Sequence, residues 1–191
     1  MPSCSNIPRG SSSLKTLIVF YSREGSTAQI ALGLAQATGG TLRRLVDSHR
    51  MENGGMFRAL LATLLGLETT LVNPDYTVEP FEAVVVMTPV WIGNPTPAIT
   101  TFISNAVLKG KKVFIVAVGG TAANPRAIAR LGKRLRARGA SIVGHTEVLG
   151  YIPDPKAVRP SDEELAAEGV RLAETVRQAF ESQPQPSGMP E

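Results

Sequence analysis

Cysteine is nearly absent from this chain: the one residue, Cys4, lies in a stretch rich in Ser, Pro and Gly. An internal disulfide framework is excluded, which agrees with a reducing compartment. Histidine is also scarce, His49 and His145 being the two present, so no zinc-type ligand cluster is expected. No Ser/His/Asp or Cys/His set is visible, and no catalytic side chain is therefore assigned. Residues 1–13 lack an apolar stretch, which predicts no secretory signal. Long apolar runs are missing too. The run 17–21 is far too short for a bilayer, and the longest helical one, 56–67, is about half a span and contains Arg58. These absences predict no membrane span and a cytoplasmic address.

One sign of charge is missing from a third of the chain. Residues 83–146 hold nine Lys/Arg and no Asp or Glu, whereas 147–191 hold nine acidic residues and four basic ones. A one-sided basic field can draw in an acidic partner, nucleotide phosphates or an anionic surface. It can equally be a solvated helix face, partly neutralised by the acidic C-terminal helix. Aromatic residues are only 5% of the chain and do not interleave with these cations, so no nucleic-acid partner is expected.

What is present suits one globular α/β domain: 191 residues, 43% hydrophobic and 19% charged. The domain is placed at 14–182, between flexible tails at 1–13 and 183–191, the latter (QPQPSGMPE) by its composition. Strand-length apolar runs at 15–22, 81–88 and 112–118, with a more polar one at 41–47 and a fifth at 141–149, alternate with helical patterns. Helices are predicted over 26–38, 56–67, 96–107, 126–138 and 161–180. Gly39-Gly40 stops the first, Thr96 with Pro97 opens the third, and Ser161-x-x-Glu164 forms a capping box on the last. Pro89 is read as the end of the third strand. Strict alternation argues for a doubly wound parallel sheet with helices on both faces.

In an open parallel sheet, ligands bind beyond the carboxyl ends of the central strands. Three loops there stand out. The first, Tyr21-Ser22-Arg23-Glu24-Gly25-Ser26-Thr27, joins a buried strand to a helix and supplies three aliphatic hydroxyls beside free N–H groups, the chemistry of a phosphate cradle. An ordinary capped helix start is the alternative. The second, from Thr88 through Pro89, Val90, Trp91, Ile92, Gly93 and Asn94 to Pro97, holds the only tryptophan, either to stack on a planar ring or to plug the core. The third opens on Gly119-Gly120.

The motifs Tyr-Ser-x-x-Gly-Ser-Thr and Thr-Pro-Val-Trp-x-Gly-x-x-x-Pro, in register after the first and third strands, resemble the flavodoxin family, near NAD(P)H-dependent FMN-reductase-like and quinone-reductase-like chains. The resemblance covers 14 to about 152. It implies strand order 2-1-3-4-5 and FMN as cofactor. It implies that Ser22, Gly25, Ser26 and Thr27, with Arg23 beside them, hold the phosphate. Pro89, Val90, Trp91, Ile92, Gly93 and Asn94 would frame the isoalloxazine, and Gly119 and Gly120 would line the third loop. Glu24 stands where the family usually has Ser or Thr, so its carboxylate is expected to point away from the phosphate, offset by Arg23. The third loop lacks the aromatic residue that often sandwiches the flavin, and the chain is basic where dedicated electron carriers are acidic.

The expectation is an FMN-dependent redox protein: an electron carrier, or an NAD(P)H-linked reductase of a small acceptor such as a quinone. The basic balance favours the reductase, and a flavodoxin-like protoporphyrinogen oxidase is a third reading. A flavodoxin-fold binding module that no longer holds flavin is the non-enzymatic alternative. A small molecule or a protein serves as redox partner. The apolar helix that opens on Met56 and closes on Leu67 is read as a homodimer contact or a wall for a greasy substrate, or else as a helix buried under the connection 69–80.

Overall fold

A computed structural model describes residues 14–48, 63–120, 124–150, 158 and 160–182. Its long strands are β1 (Thr16–Tyr21), β2 (Thr41–Leu45), β3 (Ala83–Trp91), β5 (Lys112–Gly119) and β6 (Ser141–Leu149), with a two-residue β4 (Asn94–Pro95). The helices are α1 (Ser26–Thr38), α2 (Pro97–Asn105), α3 (Pro125–Ala137) and α4 (Asp162–Glu181). The five long strands run parallel in the order β2-β1-β3-β5-β6, the flavodoxin-like order expected for five strands. Both tails and residues 56–62 of the apolar helix lie outside the described residues. Of that helix, residues 63–65 are helical, and Leu64, Leu65 and Leu67 are exposed.

Central strands of such a sheet are covered on both faces, and this accounts for their unbroken apolar runs. On one face Leu17, Val19, Val84, Val86 and Ile115 pack with Ile99 and Phe102 of α2 and Leu131 and Leu135 of α3. On the other, Ile18, Phe20, Val85, Met87 and Val116 pack with Ile30 and Leu34 of α1 and Leu172, Val176 and Phe180 of α4. The Ser161 capping box forms as expected: Glu164 N–H donates to Ser161 Oγ (3.1 Å) and Ser161 N–H to Glu164 Oε2 (2.7 Å).

Where α1 crosses α4 the two backbones meet at glycines. A Cβ on Gly33 would stand 1.9 Å from Ala166 O, and one on Gly169 would stand 2.0 Å from Ile30 O. Only hydrogen fits at either position.

Three expectations are corrected. Pro89 does not end β3, which continues to Trp91. The pairing of β1 with β3 stops at Phe20–Met87, so Pro89 stands where β3 has only β5 beside it, an edge-like place that tolerates a missing N–H. Thr96 occupies the cap position of α2, but its side chain makes no capping bond and instead lies 3.2 Å from Thr88 Oγ1. The acidic C-terminal helix cannot neutralise the basic one, because α4 and α3 lie on opposite faces of the sheet. Glu168 pairs with Arg171, and Arg177 with Glu174, within α4 itself. Several cations of the basic third are held by carbonyl oxygens: Lys111 by Phe81 O (2.6 Å), Lys112 by Phe180 O (2.9 Å) and Arg134 by Gly66 O (2.8 Å).

Candidate functional site

The first wall of the site is the start of α1. Gly25, at φ 99°, is its N-cap, a conformation open to glycine, and the cap makes no side-chain hydrogen bond. The N–H groups of Ala28 and Gln29 turn back to Gly25 O (2.9 and 3.1 Å), while those of Ser26 and Thr27 have no partner within the helix. The first turn carries no acidic side chain. Ser22, Ser26 and Thr27 are all buried, and the Ser22 and Ser26 hydroxyl oxygens have no hydrogen-bond partner. An unpaired buried hydroxyl costs about 1–3 kcal/mol, and at the positive end of a helix dipole two of them offer donors that suit an anion.

The second wall is a β-hairpin, not a loop. Beyond Trp91 the chain turns through Ile92 (φ 49°) and Gly93 (φ 67°), and β4 pairs back, Trp91 opposite Asn94 and Val90 opposite Pro95. Two central residues of positive φ suit Asn-Gly; a β-branched Ile there stores strain on the order of 1–3 kcal/mol. Asn94 holds the turn from behind: wholly buried, it donates from Nδ2 to Ile92 O (2.9 Å), and its Oδ1 accepts from an Arg130 guanidinium N–H. The base of the hairpin is closed by Thr96 N–H to Thr88 Oγ1 (3.1 Å). Trp91 is half-buried, edge-on to Tyr21 with ring centroids 6.0 Å apart, and the Arg23 guanidinium lies 5.9 Å from the centre of its ring.

The third wall is the end of β5. A Cβ on Gly119 would stand 2.5 Å from Asn124 Nδ2, and Gly150 N–H donates to Gly119 O (2.8 Å). Asn124, which precedes α3, gives its backbone N–H to Glu147 Oε2 on β6. Residues 121–123 of this loop lie outside the described residues.

Together the walls enclose a pocket of about 420 Å³. Ten of the thirteen residues expected from the sequence line it: Ser22, Arg23, Ser26 and Thr27; Pro89, Val90, Trp91 and Ile92; Gly119 and Gly120. Gly25, Gly93 and Asn94 do not; the two glycines supply turns and Asn94 is spent behind the hairpin. Glu24 is among the residues that line the pocket, and its Oε1 lies 3.5 Å from Arg23 Nε. Val118 and Gly150 complete the lining and were not foreseen. Gly150 follows the last strand, and only the pairing of β6 with β5 brings it here. Among the described residues, the carboxyl whose ionisation is clearly moved does not line the pocket. Asp75 is held below the usual carboxylate range by the Thr77 N–H first, with help from the Thr77 hydroxyl and from Arg43, and burial opposes this.

Comparison with known proteins places the fold. No protein-family profile and no curated protein matches the chain in sequence. Solved structures do match in three dimensions. A provisionally named flavoprotein from Bacteroides uniformis is 18% identical over 90% of this chain and 100% of its own, with a TM-score of 0.63. A flavoprotein in complex with FMN from Lactobacillus acidophilus is 20% identical over 70% and 93%, at 0.57. Oxidised flavodoxin 2 from Bacillus cereus is 21% identical over 87% and 97%, at 0.52. The class is thereby defined: the chain has the flavodoxin-like fold. Among the described residues, no helix is long and apolar enough to cross a membrane, and no group of three His, Cys, Asp or Glu is placed to hold a metal ion.

Proposed function

We propose that the chain binds FMN in this pocket and acts as a flavodoxin-like redox protein, most specifically an NAD(P)H-linked reductase of a small acceptor such as a quinone. The observation that carries the reading is the pair of buried, unpartnered hydroxyls of Ser22 and Ser26 beside the unfilled N-terminus of α1. A phosphate monoester supplies the acceptors and charge that both lack. The pocket falls within the range of about 300–1,000 Å³ usual for cofactor sites, and its lining beyond the cradle is largely apolar, as a flavin ring requires. The complex from L. acidophilus supports the same assignment by analogy of fold.

FMN, when bound, supplies hydride and single-electron transfer. The chain's own residues bind and orient. Ser22, Ser26, Thr27 and the first N–H groups of α1 take the phosphate, while Trp91, Pro89, Val90 and Ile92 on one side and Gly119 and Gly120 on the other exclude water from the ring. Arg23 keeps the Glu24 carboxylate paired and so offsets its repulsion of the phosphate.

Purified protein is expected to show flavin bands and to release FMN on denaturation. A colourless protein that ignores added FMN would leave the flavin-free binding module as the reading. Thr27→Val is expected to keep the fold and weaken FMN binding by about 1.5–3 kcal/mol, the worth of one hydrogen bond to a charged group. Fluorescence titration checks it, and an unchanged affinity removes Thr27 from the cradle.

The reductase reading draws on the cations near the pocket that remain exposed. Arg126 is exposed beside the hairpin, its Cδ 3.8 Å from where a Cβ would stand on Gly93. If it guides an anionic donor such as NADPH, Arg126→Gln should raise the KM for NADPH up to about fivefold, the equivalent of about 1 kcal/mol for an exposed charge. The change should be larger in KM than in kcat and should fade as salt rises. Steady-state NADPH oxidation with a quinone acceptor measures both, and unchanged kinetics at low salt end the steering idea.

A further inference from the structure

The geometry points to Arg130 as a positioning residue for this pocket: acting through Asn94, it holds the Ile92–Gly93 turn in its left-handed form and so sets the wall that Trp91 and Ile92 present. The flavin reading enters only in naming the ligand.

Arg130 differs from the other cations of α3. Arg134 bonds Gly66 O and Arg126 is exposed, whereas Arg130 is half-buried and directs its guanidinium at the side-chain oxygen of a wholly buried asparagine. It forms no ion pair among the described residues. Partly burying a cation against a neutral amide, with no counter-ion, is a costly arrangement that packing alone does not require. What it achieves is local. With Oδ1 engaged, the Asn94 amide is held in one orientation, its Nδ2 on Ile92 O, and that carbonyl belongs to the one β-branched residue at positive φ among the described residues. The β3–β4 pairing fixes the ends of the turn at Trp91 and Asn94. Between those ends the clamp is the side-chain contact that holds the Ile92 carbonyl, and its loss lets the strained Ile92 shift and carry Trp91 with it.

Trp91 is the chain's only tryptophan, so its emission reports the hairpin directly, with or without ligand. In ligand-free protein, Arg130→Met is expected to make Trp91 more accessible to acrylamide quenching. The Kd for FMN should rise about tenfold, equivalent to about 1.4 kcal/mol. Arg134→Met, on the same helix, should change neither reading. In an Ile92→Asn background, where the turn residue is at home in the left-handed region, the effect of Arg130→Met on quenching should largely vanish. If Arg130→Met alone does not fold, Arg130→Lys, which replaces the planar fork by a single ammonium, carries the same comparison in both backgrounds. Unchanged Trp91 accessibility in the Arg130 variant overturns the proposal, as does an equal loss in both backgrounds. Failure of the parent protein to bind FMN defeats the flavin reading instead, and the quenching comparison still decides the role of Arg130.

Discussion

Gly169→Ala, far from the pocket, is expected to lower stability by about 3 kcal/mol and to weaken FMN binding as well. The new methyl would stand 2.0 Å from Ile30 O and 2.7 Å from Leu34 N, and both are backbone atoms that no rotamer change can move aside. Gly33, facing Ala166 O from the other helix, gives the crossing no slack. The helices must separate, and the relief available is a shift of α1 along or away from the sheet. The N-terminus of α1 is the proposed phosphate cradle, so the shift would be felt there. For a chain of this length the loss corresponds to a fall of about 6–12 °C in Tm. Gly39→Ala is the control: its φ of 70° costs the variant on the order of 1 kcal/mol, but no neighbour lies within 4 Å and FMN affinity should hold. Thermal unfolding followed by flavin titration measures both effects. A Gly169→Ala protein that melts with the parent would show that the helix crossing is looser than these distances require.

Removing the two orphan hydroxyls together should move stability and affinity in opposite directions. In Ser22→Ala/Ser26→Ala, the ligand-free protein no longer buries two unsatisfied polar atoms, and its stability is expected to rise by about 1–3 kcal/mol. FMN binding should weaken by about 1.5–3 kcal/mol per hydroxyl, about a hundredfold or more in Kd for the pair. An ordinary helix start gives the reverse pattern, since deleting a cap destabilises the free protein and leaves no ligand to lose. Urea unfolding without ligand, set beside fluorescence titration with FMN, separates the two. A double variant less stable than its parent would mean that these serines serve the fold.

Much of this architecture is legible in the sequence because it is local. Strands β1, β3 and β5 are apolar over most of their length, as double burial demands, and the Ser161–Glu164 box and the Gly39 stop announce helix ends by local chemistry alone. The motif after β1 is local too: its hydroxyls and glycine stand at a strand-to-helix junction, and Ser22, Ser26 and Thr27 line the pocket. What escapes is what depends on partners remote in the chain. Pro89 looks like a strand terminator until one knows that β1 has already ended beside it. Asn94 looks like a ring-framing residue, yet its amide is claimed from behind by Arg130, thirty-six positions later. Gly33 and Gly169 carry no local signal, because their meaning lies in the contact between the first and last helices. The charge blocks are plain in the sequence, but their placement on separate faces follows from the crossovers.

That placement gives the molecule a handedness toward electric fields. α1 and α2 contain no charged residue, so the two faces of the sheet are coloured by α3, with five Lys/Arg and no acid, and by α4, with six Asp/Glu against two Arg. Among the described helices, charge of opposite sign therefore lies on opposite faces of the sheet, in a chain of net charge +4. A charged surface would be approached accordingly, an anionic one with α3 leading and a cationic one with α4 leading. Both encounters leave the carboxyl edge of the sheet, where the pocket opens, alongside the contact rather than beneath it. Raising the salt toward the physiological range shortens the reach of these charges to about 8 Å.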